Sequence, residues 1–162
     1  MKSALLILMC VFCILACQEK PIAKQEPEKM QEFEPRHSID NLVYMDSLIA
    51  CAIWKGDEKA YALAEAHYYR AQRQEEFLWT ALTVANKYNN SQACYCVYNL
   101  INGWRIGAEL KNLDPKNKNF ALYYLLKSYE LGEDNAKSKV EEIFEGKPIP
   151  KSSYYMQEYA KE

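Results

Sequence analysis

The chain has 162 residues, with 20 Lys and Arg against 22 Asp and Glu, a net charge of −2, and 49% hydrophobic residues. That length holds one domain with a real core and is short for two. The mild acidity excludes the basic stripe with which a nucleic-acid binder neutralises phosphates, so no nucleic-acid partner is expected.

The chain opens with Lys2 as a short positive segment, an unbroken apolar run from Ala4 to Leu15, then Ala16-Cys17 and the polar Gln18-Glu19-Lys20. The run is short for a bilayer span and carries no stop-transfer pattern. Ile14-Leu15-Ala16-Cys17 resembles the lipobox of bacterial lipoprotein signal peptides, matching it at Ile14, Ala16 and Cys17, with Leu15 bulkier than usual. The resemblance implies that residues 1–16 are a signal peptide removed by signal peptidase II and that Cys17 is the lipidated residue, with acyl chains such as palmitate holding the protein to a membrane. Each buried CH₂ adds roughly 0.8 kcal/mol to such an anchor. The rival is a plain secretory signal cut after Ala16, which gives a soluble product. Gln18 stands where some lipoproteins retained at the inner membrane carry aspartate. The outer membrane is therefore favoured, with the domain periplasmic or surface-exposed.

Residues 17–38 form the next segment. It contains Pro21, Pro27 and Pro35, is rich in Glu and Lys, and has few large apolar groups. Such a composition does not bury enough surface to offset the entropy of ordering, so a disordered tether is expected. At about 3 Å per residue it reaches up to ~60 Å from the bilayer.

From residue 39 to 150 the sequence predicts an all-α domain. Ser38 or Asp40 is expected to cap a first helix to Trp54 with Leu42, Met45, Ile49 and Ile53 or Ala52 on one face. Gly56 stops it and Asp57 caps the next, a helix from Glu58 to Ala71 burying Ala60, Leu63, Ala64, Tyr68 and His67. A third runs from Glu75 to Lys87 with Leu78, Ala81, Leu82 and Ala85 inward. Ser91 caps a fourth, which buries Ala93, Cys94, Val97, Leu100 and Ile101. The stretch from Gly103 to Asn117 is the longest irregular segment, with a turn of helix between Trp104 and Leu110. Helices over Lys118–Glu130 and Asn135–Phe144 follow. The tail 151–162 suits one short helix carrying Tyr154, Tyr155 and Tyr159.

Three segments align with one another. Tyr44, Phe77 and Phe120 are each followed by a helix stop, Gly56, Asn89 and Gly132, and then by a small residue, Ala60, Ala93 and Ala136. Gly and Asn enter the left-handed conformation most cheaply, and alanine lets antiparallel helices approach. The pattern describes one hairpin repeated, with the 103–117 segment as an insertion. Phe120-Ala-Leu-Tyr-Tyr-Leu-Leu-Lys-Ser-Tyr-Glu-Leu-Gly132, followed by Asn135-Ala136, is similar to the repeat of Sel1-like proteins of the tetratricopeptide superfamily. Lys127, Glu130, Gly132 and Ala136 match, while Ser128 and Tyr129 replace the two usual alanines. Ala60 to Tyr68 resembles the opening helix of that repeat, with Ala64 in place of glycine. The resemblance covers residues 42–145 and implies a short right-handed α-solenoid of antiparallel hairpins, used as a scaffold, adaptor or partner-binding module. Toxin-immunity systems include members built the same way.

Little in the chain points to catalysis. The only histidines are His37, in the tether, and His67, without a nucleophile motif beside it; the latter reads as a packed residue. No phosphate cradle, zincin motif or serine elbow is present. Cys94 and Cys96 have the wrong spacing for a redox or zinc pair. No cofactor, metal or catalytic residue is expected. Cys51 has a disulfide to Cys94 or Cys96 open to it, against buried free thiols as the alternative. Tyrosine doublets cannot bury both rings on one helix face, and amphipathic rings left outside suit binding. Tyr68, Tyr98 and Tyr124 are expected to be structural. Tyr69, Trp79, Tyr95, Trp104, Arg105 and Tyr123 are the candidate partner contacts.

The function expected is a lipid-tethered, non-enzymatic module or adaptor that binds a protein or peptide in the bacterial envelope. The alternative is an immunity protein that neutralises a toxin acting there.

Overall fold

The computed structural model describes residues 38–103 and 109–161. The signal peptide, Cys17, the tether up to residue 37, and the candidate contacts Trp104 and Arg105 lie outside them. Seven α-helices and no strand are found among the described residues: α1 (Leu42–Ala50), α2 (Glu58–Arg70), α3 (Leu78–Tyr88), α4 (Ser91–Asn102), α5 (Pro115–Glu130), α6 (Asp134–Ile143) and α7 (Ser152–Lys161). α1 runs on through a π-helical turn, Cys51–Lys55, and 3₁₀ turns precede α3 (Gln74–Phe77) and α5 (Leu110–Asn112).

Six of the helices pair as three hairpins with a common turn. Gly56, Asn89 and Gly132 all take positive φ, at 68°, 50° and 90°. Asp57 then accepts from the Ala60 amide at 3.0 Å, and Asn90 from the Ala93 amide at 2.8 Å. The repeated alanine is therefore the third residue of each second helix, where its amide meets the cap. Ala60, Ala93 and Ala136 are all buried. In the third turn Glu133 holds the cap position without a side-chain bond.

The repeated aromatic also has a structural role. Phe77 is buried between Tyr61 and Tyr68 of α2, at 5.3 and 5.2 Å between ring centres. Tyr44 meets His67 edge-on at 5.6 Å, and buried His67 is thus a packed residue. Phe120 stacks on Tyr159 of α7 at 4.9 Å. The hairpins share one core, to which α4 and α5 contribute Val97, Tyr98, Leu125 and Leu126. Polar links reinforce it: Ser128 Oγ donates to the Ser91 carbonyl at 2.8 Å, and Asn86 Nδ2 to the Tyr124 hydroxyl, also at 2.8 Å.

Several boundaries and faces differ from expectation. Asn41 caps α1, accepting from the Tyr44 amide, while the Ser38 hydroxyl oxygen accepts from the Asp40 amide just before it. Leu42 is 71% exposed. Leu63 is 49% exposed, because the inward stripe of α2 runs through Ala60, Ala64 and His67 and widens towards Tyr61, leaving Leu63 on the other flank. Asn90, not Ser91, caps α4. α5 begins a turn earlier than Lys118, with Asp114 as cap and Pro115 as first residue, an arrangement for which proline is well suited. α7 packs along α5 and is held there by Glu130, which accepts from the Ser152 amide at 2.9 Å and its hydroxyl at 2.7 Å.

Candidate functional site

The second helices of the first two hairpins run beside each other and leave a cleft of about 290 Å³. α2 contributes Glu65, Tyr68 and Tyr69, which share a face at positions i, i+3 and i+4. α4 contributes Gln92, Tyr95, Cys96 and Asn99, another face at helical spacing. Gln74, Phe77, Glu133 and Asn135 also line it.

The wall between the helices is polar at its base. Gln92 Nε2 donates to Glu65 Oε2 across the cleft. Burial pushes the Glu65 carboxyl above its ordinary pKa, opposed by hydrogen bonds from Cys96 and Gln92 and reinforced by the negative charge of Glu133. Burial likewise pushes the Cys96 thiol well up, with the Glu65 charge adding to it. A thiol so placed stays protonated, the opposite of a nucleophilic cysteine. Tyr61 is fully buried beside Cys96, and its hydroxyl has no hydrogen-bond partner of good geometry.

Of the candidate contacts, Tyr69 and Tyr95 come together here, on facing helices. Tyr68, expected to be structural, is half-buried and lines the same cleft while packing at a tilt against Phe77. Tyr98 and Tyr124 are buried, as the sequence predicts. Trp79 is 65% exposed on α3, away from the cleft lining. Tyr123 lines a separate, open hollow between α5 and α7, with the Lys127 ammonium 5.8 Å from its ring centre. Glu65, Gln74, Gln92, Asn99, Glu133 and Asn135 are the lining residues that sequence reasoning missed. The spacing of Glu65 with Tyr69, and of Gln92 with Tyr95 and Asn99, carried the signal for most of them.

Of the two alternatives open to Cys51, a disulfide to Cys94 or Cys96 or free thiols, the structure has all three cysteines as free thiols. Cys94 and Cys96 point to different neighbours: Cys96 faces Tyr61 and Glu65 of α2, and Cys94 lies within the field of Lys127 on α5. Cys51 sits in the π-helical turn of the first hairpin. Among the described residues no three His, Cys, Asp or Glu side chains gather as a metal site, and no helix is long and apolar enough to cross a membrane. Searches against protein-family models, curated proteins and solved structures find no match to this chain.

Proposed function

We propose that the protein is a membrane-tethered, non-enzymatic binding module of the bacterial envelope, and that it engages a protein or peptide partner in the α2–α4 cleft. The observation that carries this reading is the pairing of Tyr69 and Tyr95 across a concave surface lined with amides. Tyrosine offers a large amphipathic contact area with little rotamer entropy to lose, and amides supply hydrogen bonds around it. The repeated turn and alanine support the finer reading of the fold as a Sel1-like solenoid, a scaffold suited to presenting such a surface. The lipobox at Ile14-Leu15-Ala16-Cys17 supports the tether.

Two experiments on the full chain test the two halves. A photo-crosslinking amino acid placed at Tyr69 or Tyr95 in cells is expected to capture a discrete protein, while the same probe at exposed Glu141 on α6 does not. Capture of nothing at the cleft, or of the same proteins from all three positions, rejects the binding site. Cys17→Ala is expected to abolish lipid labelling and membrane retention. Unchanged retention rejects the lipid anchor.

A further inference from the structure

The charge and chemistry of the cleft restrict what it accepts. Among the described residues, the charged ones that line it, Glu65 and Glu133, are both acidic, and no Lys, Arg or His is found there. Tyr68, Tyr69 and Tyr95 line the same cleft, and the Tyr69 hydroxyl lies within the field of Glu65. Arg73, near in sequence to Gln74 on the lining, is engaged elsewhere: its guanidinium forms a two-pronged pair with Glu76 at 2.7 and 2.6 Å. Among the described residues no cation of the lining therefore compensates Glu65, which takes hydrogen bonds from the neutral Gln92 amide and Cys96 thiol. A desolvated carboxylate flanked by aromatic faces is the environment that stabilises a cation, through direct charge and through the ring quadrupoles. The volume, at the lower edge of the range of about 300–1,000 Å³ for small-molecule sites, suits one long side chain better than a whole ligand.

We infer that the cleft is a receptor for a single basic side chain, lysine or arginine, presented by the polypeptide partner, with Glu65 as the counter-ion and Tyr69 and Tyr95 as the flanking rings. This inference rests on the proposed binding role and adds the chemistry of the group recognised. An anionic or purely apolar side chain is disfavoured at the same place, since it would further desolvate the half-buried Glu65 charge without supplying a counter-ion. The same feature gives the module selectivity against acidic segments.

The test uses ¹⁵N-labelled full-length protein in detergent micelles, titrated with N-acetyl-lysine amide and N-acetyl-arginine amide. N-acetyl-norleucine amide and N-acetyl-glutamate amide serve as controls. Saturable shifts of the Glu65, Gln92 and Tyr95 amides are expected with one or both basic probes and not with the controls. Glu65→Gln is expected to weaken the response about tenfold, the equivalent of ~1.4 kcal/mol. Tyr95→Leu, which leaves every charge in place, is expected to weaken it about threefold by removing one ring. Equal shifts with norleucine, or an undiminished response in Glu65→Gln, overturns the inference. Choline saturating the cleft at lower concentration than the lysine probe overturns the assignment to a protein side chain. If the basic probes leave the cleft amides unmoved while crosslinking from Tyr69 still captures a protein, the cation inference falls and the binding role stands.

Discussion

The Tyr88 hydroxyl at the end of α3 donates to the Ile53 carbonyl at 2.9 Å, joining the second hairpin to the π-helical end of the first. Lys87 Nζ donates to the same oxygen at 3.0 Å. The terminal carbonyls of a helix have no partner within it, so these two groups do for α1 what a cap does. The Tyr88 ring is seated directly against Gly56, and a Cβ on that residue would lie 2.8 Å from its Cε1.

Gly56→Ala is accordingly expected to be costly twice over, through its left-handed backbone (φ 68°) and through the displaced Tyr88 ring. The backbone component is roughly 1–2 kcal/mol and overpacking adds roughly 1–3. Gly132→Ala meets no atom within 4 Å and bears only the first component. Urea denaturation of the two variants should rank Gly56→Ala as clearly the less stable. Equal losses would show that the Tyr88 contact carries no weight.

Tyr61→Phe is expected to stabilise the protein by about 1 kcal/mol. The ring stays packed against Phe77, and the change removes a buried hydroxyl that has no good hydrogen bond. Leaving such a group unsatisfied costs roughly 1–3 kcal/mol. A fall in stability of similar size would mean that the hydroxyl is bonded to Cys96 in solution.

The hairpins were legible in the sequence because their turns depend on local chemistry. Gly56, Asn89 and Gly132 mark left-handed residues, and Asp57 and Asn90 accept from amides three residues on. The π-helical turn at Cys51–Lys55 was not legible. Its Ile53 carbonyl is met by Tyr88 and Lys87, some thirty-odd residues away in sequence, a contact that no local pattern signals. Asp114-Pro115 carried a start signal, cap then proline, that is overlooked when proline is read only as a helix breaker. The cleft was half legible. An exposed ring at Tyr69 follows from its doublet with Tyr68, whereas the half-burial of Tyr95 and of Glu65 depends on α4 lying beside α2 and presenting Gln92 and Cys96.

Thiol labelling should follow burial. Cys51 is half-exposed, whereas Cys94 and Cys96 are buried. Burial pushes the Cys94 thiol up to about 11, partly offset by Lys127. With peptide-resolved mass spectrometry, maleimide at neutral pH is expected to modify Cys51 in the native protein and the other two only after denaturation. Protection of Cys51 together with a mass loss reversed by reductant would instead establish the disulfide.

Glu65→Gln should separate stability from binding. Burial raises the Glu65 carboxyl pKa in the folded protein, so the folded state holds this proton to higher pH than the unfolded chain does. The stabilisation that follows is fully present below the unfolded pKa, about 4.3, and is lost as pH rises through the folded value. Glutamine, similar in shape and neutral, escapes that loss. The variant is therefore expected to match the parent near about pH 4 and to unfold at higher urea concentration near about pH 7.5. Tyr61 and Cys96 remain protonated over this range because burial raises both. Glu133, at the cleft edge, is the other carboxylate whose charge acts on Glu65. Glu133→Gln should therefore move the transition of the parent to lower pH without abolishing it. A stability gap independent of pH would show that Glu65 is not the titrating group. A gap that opens with pH, in a variant that has lost its response to the basic probes, would show a carboxylate kept in the cleft at a cost to folding because it is needed for recognition.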